Sequence, residues 1–166
     1  LTACPRPGGG DVRPDGDTPR YTAKQDQKAA EALTNAVQVA DTQGKKDGVE
    51  ALLSVRQAYP ETTAAQEALY RAGVLHFEAG DFVAARKSFN ELLFENPLFE
   101  KAQDAKLKAG LSALEAHAYR DAYQSLSAVS ERLEGADRRL ALEGAARAAQ
   151  GAQLLADALR LAIRLG

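Results

Sequence analysis

Histidine, cysteine and acidic side chains are the groups in this chain that could carry out nucleophilic, acid–base or metal chemistry. His76 and His117 are the two histidines, and Cys4 is the single cysteine. A zinc site requires Cys or His ligands in closely spaced pairs, and a nucleophile requires a base within hydrogen-bond reach. Neither pattern occurs in the sequence. We therefore predict that the chain is not an enzyme and that it binds no metal and no cofactor.

The charges of the chain are balanced and dispersed. Lys and Arg number 21 and Asp and Glu number 23, which gives a formal net charge of −2 at pH 7. Acidic residues often stand near Lys or Arg at helical spacing, as in Glu100, Asp104 and Lys108, a pattern typical of solvated helix surfaces. Proteins that bind nucleic acid usually carry a cluster of Lys and Arg, and the sequence has none. We predict that nucleic acid is not a partner.

The composition favours closely packed helices over a sheet. Apolar residues make up 45% of the 166 residues, aromatic residues only 6%, and alanine is abundant. Alanine has the highest helix propensity, and its small side chain lets neighbouring helices approach closely. No apolar run reaches the roughly 18 residues that a membrane-spanning helix needs.

Breaks at glycine and proline, and one at His117-Ala118, divide residues 23–166 into eight predicted helices. Apolar residues recur at helical spacing between these breaks, and no segment alternates apolar and polar residues as a strand does. We therefore expect no sheet. The predicted helices span 23–42, 46–58, 62–79, 82–95, 99–116, 119–133, 137–150 and 152–165.

An internal repeat relates these helices to one another. A shift of 37 residues carries Pro60 onto Pro97 and Gly73 onto Gly110, and it carries Phe89 onto Leu126. The same shift relates Leu52 to Phe89. Repeats of this length, each containing two helices, are typical of proteins in which helix pairs stack side by side. We predict four such pairs.

The best-preserved repeat unit resembles the tetratricopeptide repeat. That family places small residues where its two helices touch, a short turn between the helices, a large core residue in the second helix and a proline after it. The corresponding residues here are Gly73, Ala85, Gly80, Asp81, Phe82, Phe89 and Pro97. The resemblance implies an all-α superhelix of about four antiparallel helix pairs, roughly eight helices, over residues 23–166.

The sequence departs from the family pattern in three places. The family repeat is normally 34 residues long, and three more residues per repeat predict a longer first helix. In the unit that follows, His117 replaces the turn glycine and Glu134 replaces the final proline. The outermost units match least, which is typical of terminal repeats.

The first 22 residues predict a lipid anchor and a flexible tether. Leu1-Thr2-Ala3-Cys4 resembles the end of a bacterial lipobox, whose cysteine becomes lipid-modified and N-terminal. Residues 5–22 are rich in Pro and Gly and lack apolar periodicity, so we expect them to link the anchor to the helical domain at 23–166. The absence of an initial Met predicts a processed or truncated product. The alternative is an incidental free cysteine in a tail.

These features together are similar to those of bacterial envelope lipoproteins with helical repeats. Examples are the helical lipoprotein of the barrel-assembly machinery, the Tol–Pal coordinator and the helical domain of the penicillin-binding-protein activator. The resemblance implies a non-catalytic, lipid-anchored adaptor in an outer-membrane or cell-wall assembly complex, facing the periplasm, with another envelope protein or peptide segment as partner. One alternative is an N-terminal regulatory module of a larger lipoprotein. Another is a periplasmic enzyme that uses His76 or His117.

The family resemblance also implies where a partner would bind. In such stacks the first helix of each pair lines the concave face. The implied groove is apolar in the middle and flanked by carboxylates, so we expect it to favour a segment with apolar anchors and some basic residues. The groove residues are Glu67, Tyr70, Val74, Phe77, Glu78, Asp104, Leu107, Leu111, Leu114 and Glu115.

Four of these residues have an alternative position, and one known type of ligand is not expected in this groove. Phe77, Leu107, Leu111 and Leu114 could instead be buried between neighbouring helices. The clamp of Lys and Arg that some family members place on a peptide carboxylate is not evident, because Arg71 and Lys106 stand outside its usual positions. We do not expect capture of a peptide C-terminus.

Overall fold

The chain folds into helices, as the sequence predicts. The structure, a computed structural model, describes residues 18–153, 160 and 162–164, with side chains from Ala23 onward. Residues 18–153 contain seven α-helices and no strand. No helix in this described part combines the length and the apolar character that crossing a membrane requires. The helices are α1 (Thr18–Gln43), α2 (Lys45–Ala58), α3 (Thr63–Glu78), α4 (Phe82–Glu95), α5 (Ala102–Glu115), α6 (Tyr119–Ser130) and α7 (Gly135–Gly151).

Most helix boundaries agree with the sequence analysis to within two residues, with three differences. The predicted sixth helix, 119–133, ends three residues earlier, at Ser130. The first helix begins at Thr18 and not at Ala23, so α1 extends into the segment predicted as a tether. Pro19 is compatible with this start, because the first turn of a helix leaves its N–H groups unpaired. The predicted start of the fifth helix at 99 is wrong, since Phe99 and Ala102 donate turn hydrogen bonds of 3.2 and 2.8 Å to the carbonyls of Asn96 and Phe99.

The predicted eighth helix, 152–165, lies largely outside the described residues. Helix α7 ends at Gly151 and is followed by a turn, and residues 160 and 162–164 are helical. The division of the chain at residue 22 into tether and repeat domain stays a prediction.

The helices pack as antiparallel pairs with a distinct inner and outer face. Each helix from α1 to α6 packs on the next, and α1 also contacts α3, α3 contacts α5, and α5 contacts α7. The backbones of α2, α4 and α6 do not approach one another in this way. Odd-numbered helices therefore lie on the inner side of the stack and even-numbered helices on the outer side. This is the helix-pair arrangement expected from the tetratricopeptide-like pattern.

Each helix pair contributes one apolar cluster to a continuous core. The first cluster contains Ala36 and Leu52, the second contains Leu69 and Phe89, and the third includes Leu126. Alanine supplies most of the buried apolar positions among the described residues, including Ala68, Ala72, Ala105, Ala141 and Ala145. Because alanine adds little width, the helices can pack closely at many points along the stack.

A small residue faces a large one inside each repeat. A Cβ atom at Gly73 would lie 2.8 Å from Cε1 of Phe89, and one at Gly110 would lie 2.7 Å from Cδ2 of Leu126. The residues 37 positions before Gly73 and Phe89 are Ala36 and Leu52, and both belong to the apolar cluster of the first pair. The equivalence of Gly73 and Gly110, predicted from the repeat, is confirmed.

The turns inside the pairs repeat at the level of single hydrogen bonds. After α3, Gly80 donates to the carbonyl of Phe77 and Asp81 to that of His76, over 3.1 and 2.9 Å. After α5, His117 donates to Leu114 and Ala118 to Ala113, over 3.0 and 2.8 Å. Gly80 has φ 80° and His117 has φ 59°, the left-handed conformation that ends a helix in this type of turn. His117 therefore occupies the position of the turn glycine, as expected.

The contact between Gly73 and Phe89 yields a stability prediction. Replacing Gly73 with Ala should lower the free energy of unfolding by about 1–2 kcal/mol. Overpacking a rigid core costs about 1–3 kcal/mol, and the better helix propensity of Ala recovers up to about 1 kcal/mol of it. Urea denaturation followed by circular dichroism measures the change.

The double variant Gly73→Ala with Phe89→Leu is the matched control. It recreates the combination of Ala36 and Leu52 found in the first pair. Its loss in free energy of unfolding should therefore be smaller than the sum of the losses of the two single variants, by at least about 0.5 kcal/mol. Strictly additive effects would show that Gly73 and Phe89 do not constrain each other.

Candidate functional site

A groove of about 350 Å³ lies on the inner face, where α1, α3 and α5 meet. One part of its lining is apolar and comes mainly from α1 and α3, and the other part is charged. The apolar residues are Val37, Ala40, Leu52, Val74 and Leu75, and the polar ones are Asp41, Glu67, Tyr70, Arg71, Lys101 and Lys108.

Helix α3 supplies the central residues because of its periodicity. Glu67, Tyr70 and Val74 are spaced by three and four residues, so they share one face of the helix. The helix begins at a fixed point, since the Thr62 hydroxyl oxygen accepts a 3.2 Å hydrogen bond from the backbone N–H of Ala65. On the opposite face, Ala65, Ala68 and Ala72 are fully buried. Because the alanine face of α3 packs into the core, the opposite face of the helix is turned toward the groove.

Tyr70 is held from four directions at the centre of the groove. Its ring centroid lies 6.0 Å from that of Phe89 and 5.8 Å from that of Phe99. The ammonium of Lys101 lies 5.1 Å from the ring centroid, within the range of a cation–π interaction. The hydroxyl donates a hydrogen bond to the carboxylate of Asp104 in the next repeat. Tyr70 thus presents an aromatic surface whose orientation is already fixed.

Two carboxylates of the inner face, those of Glu67 and Asp104, are neutralised within the chain. Glu67 is paired with Arg71 at 2.8 Å and with Lys101 at 3.0 Å. Asp104 is paired with Lys108 at 2.5 Å. These ion pairs remove the electrostatic basis for basic partner residues at Glu67 and Asp104, whereas Asp41 lines the groove without an ion pair in the described part of the chain.

Three further predicted residues are engaged at the edges of the inner face. Glu78 is paired with Lys45 at 3.3 Å and Glu115 with Arg147 at 3.4 Å. Phe77 packs edge-on against Phe82, with ring centroids 5.4 Å apart.

The predicted apolar stripe does not continue along α5. Leu107 and Leu114 are buried, with 3% and 4% of their surface exposed, so they belong to the core and not to a groove surface. Leu111 is partly buried and faces α7, where a Cβ atom at Gly144 would lie 3.2 Å from its Cδ2. The small residues of α7 let that helix approach α5 and cover this stripe. That a partner binds at the remaining predicted residues stays a prediction.

The sequence analysis missed the cations and the α1 residues of the groove. Lys101 contacts Glu67, and Asp104 contacts Tyr70, each pair being separated by 34 residues. That separation is the 37-residue repeat less about one helical turn, because neighbouring odd-numbered helices contact each other with a shift along their axes. Oppositely charged or hydrogen-bonding residues 34 positions apart in the sequence could have indicated these contacts.

The two histidines have local partners at the turns inside the helix pairs. His76 Nδ1 lies 3.8 Å from Oδ2 of Asp81, and His117 Nδ1 lies 2.9 Å from the hydroxyl of Tyr119. Neither histidine lines the inner groove. Within residues 18–153, no three His, Cys, Asp or Glu side chains come together in a group that could hold a metal ion.

Comparisons with known proteins identify no family for this chain. No family model matches it, and no curated protein matches it. Among solved structures, it is similar to a tetratricopeptide repeat protein from Parabacteroides merdae, with a TM-score of 0.43 and 18% sequence identity. The similarity covers 84% of this chain and 66% of that chain.

The environment of Tyr70 raises the pKa of its hydroxyl well above the ordinary value of 10.0. Burial is the largest cause, followed by the hydrogen bond to Asp104 and the negative charges of Asp104 and Glu67. A raised pKa in the folded state stabilises the fold at every pH below the unfolded value, and this stabilisation is lost as the pH rises through the folded value.

We predict that Tyr70→Phe removes this alkaline dependence. Near neutral pH the variant should be less stable by about 1 kcal/mol, because the hydrogen bond to Asp104 is lost. Above pH of about 10, the difference should shrink as the wild type loses the contribution of Tyr70. Urea denaturation at a series of pH values measures both effects.

A tyrosinate titration supplies the check. The difference in ultraviolet absorbance between wild type and variant reports Tyr70 alone, and its midpoint should lie above the ordinary value for tyrosine. A midpoint at the ordinary value would contradict the buried, hydrogen-bonded state of this side chain.

Proposed function

We propose that the chain is a non-catalytic scaffold that holds a segment of another protein in its inner groove. The supporting observation is Tyr70, an aromatic residue fixed by Phe89, Phe99, Lys101 and Asp104 beside an apolar wall. Protein interfaces obtain most of their affinity from a few such ordered residues. Little side-chain entropy remains to be lost when a partner packs on a ring that is already held.

The groove favours an apolar anchor in an extended or helical segment. Val37 and Val74 supply apolar surface, and four of the five charged groove residues, all but Asp41, are already paired within the described residues. A strongly basic or acidic segment would have to break these ion pairs, whereas an apolar side chain would not. The proposed partner therefore inserts one or more apolar side chains next to Tyr70.

We further propose that the scaffold is anchored through a lipid on Cys4 in the bacterial envelope. It would then face the periplasm and act in an outer-membrane or cell-wall assembly complex. The support comes from the sequence alone, in the lipobox-like Leu1-Thr2-Ala3-Cys4 and the Pro- and Gly-rich segment after it. Acyl chains on this cysteine would hold the repeat domain close to the membrane surface.

Photo-crosslinking tests the groove. A photoreactive amino acid at Arg71, whose side chain is 45% exposed in the groove, should capture a partner in intact cells. Adding Val74→Arg should reduce the captured amount at least about tenfold, because a charge would replace the apolar contact in a desolvated site.

Val83→Arg is the matched control, since Val83 is 72% exposed on α4 and does not line the groove. It should leave capture unchanged, and thermal denaturation verifies that both variants are folded. Equal capture by the two arginine variants would rule out the inner groove as the binding site.

Replacing Cys4 with Ser tests the anchor separately. Expressed from its own gene in the native cell, the wild type should partition with the membrane fraction and carry a radiolabelled acyl chain. The Ser variant should lose the label and move to the soluble fraction, because Ser cannot form the thioether to the lipid. Unchanged membrane association without label would contradict lipidation, while leaving the groove proposal intact.

A further inference from the structure

The outer face of the stack carries two related clefts, one between α2 and α4 and one between α4 and α6. Their volumes are about 550 and 380 Å³. The repeat shift of 37 residues relates four residues of the first lining to four of the second. Leu53, Arg56, Gln66 and Glu95 line the first cleft, and their equivalents Asn90, Leu93, Gln103 and Arg132 line the second.

The charged groups of the first cleft are paired with one another, and its Gln66 accepts a hydrogen bond. Arg56 donates to Glu91 over 2.5 Å and to Glu95 over 2.6 Å. With 19% of its side chain exposed, Arg56 bridges the two outer helices. The amide of Asn96 donates a 2.8 Å hydrogen bond to Oε1 of Gln66. The charged residues of this cleft are therefore already paired with one another.

The second cleft lacks each of these links. Leu93 stands where the first cleft has Arg56, and Ala128 and Arg132 stand where it has Glu91 and Glu95. Leu133 takes the place of Asn96, so Gln103 loses the equivalent donor. Its Oε1 is buried and has no hydrogen-bond partner. Unpaired buried polar atoms are uncommon, and each one calls for an explanation.

The second cleft also carries unpaired positive charge. Lys106 and Arg132 both line it, and the side chain of neither forms an ion pair or hydrogen bond with another residue in the described part of the chain. The three cations of the inner groove, in contrast, are all paired with carboxylates. Glu131 lies at the edge of the cleft.

The floor between these charges is apolar. Leu93 is partly buried, and Ala109 and Val129 are 7% and 3% exposed. The cleft therefore combines an apolar floor, two unpaired cations and a side-chain amide that lacks a donor.

We propose that the cleft between α4 and α6 binds an acidic peptide segment of another protein. An apolar side chain of the segment packs on Leu93, Ala109 and Val129, and a carboxylate binds Lys106 and Arg132. A backbone N–H of the segment donates to Gln103 after a small rotation of the amide. A peptide supplies all three groups at once, and the carboxylate fills the role that Glu91 and Glu95 play in the first cleft.

This site is independent of the inner groove, because no residue lines both. A partner could occupy the outer cleft while another segment occupies the groove. Loss of binding at one site should therefore leave the other unchanged.

A random-peptide phage library selected on the full-length chain tests the proposal. The enriched peptides should carry Asp or Glu next to apolar residues, and their affinities are measured by fluorescence anisotropy. Lys106→Glu with Arg132→Glu should weaken binding at least about tenfold, because each charge-assisted hydrogen bond contributes substantially. The matched control, Lys46→Glu with Arg139→Glu, makes the same change in charge at exposed residues outside the cleft and should alter affinity by less than about twofold.

A second variant transfers the bridge of the first cleft into the second. Leu93→Arg, Ala128→Glu and Arg132→Glu recreate Arg56, Glu91 and Glu95 at the equivalent positions. This variant should fold and lose peptide binding, while Val74→Arg in the inner groove should bind the same peptides as the wild type.

Several results would overturn the proposal. They are the absence of enriched peptides, enriched peptides without acidic residues, and equal binding by the bridge-transfer variant and the wild type. Sedimentation that reveals self-association lost in the bridge-transfer variant would assign the cleft to a second copy of this chain and would equally refute the peptide.

Discussion

One packing constraint governs this structure: a residue with little or no side chain must face a bulky one inside each helix pair. Gly73 against Phe89 and Gly110 against Leu126 leave no room for a methyl group. This close approach brings the two helices of a pair together and lets the pairs stack at a fixed interval. The starts of α2, α4 and α6, at residues 45, 82 and 119, keep that interval of 37 residues.

The stack then gives its two faces different properties. Odd-numbered helices contact each other on the inner face, so residues of neighbouring repeats can form direct hydrogen bonds, as Tyr70 and Asp104 do. Even-numbered helices are separated on the outer face, and only long side chains such as Arg56 can bridge them. Where such a side chain is replaced by Leu93, the polar groups around it are left without partners. The same backbone repeat therefore produces different surfaces according to a few side chains.

The sequence predicted the helices, their pairing and the role of Gly73, because helix periodicity and a repeated small residue are local signals. It also placed His117 at the position of Gly80, and both residues are left-handed. It placed Leu107 and Leu114 in the groove with burial as the alternative and could not decide between the two, because both an exposed inner face and a helix-covered one require apolar residues. Whether these leucines are exposed or buried depends on how closely α7 packs on α5. The ion pairs of Glu67 and Asp104 depend likewise on the shift between neighbouring helices.

Pulsed electron paramagnetic resonance tests the two-faced stack most directly. Nitroxides replace Arg71 and Lys108 in one doubly labelled protein and Leu53 and Asn90 in another, with Cys4 changed to Ser in both. Each pair is one repeat apart, the first on inner helices and the second on outer helices. The account predicts a shorter distance for the inner pair than for the outer pair. Equal distances, or a shorter outer distance, would contradict it.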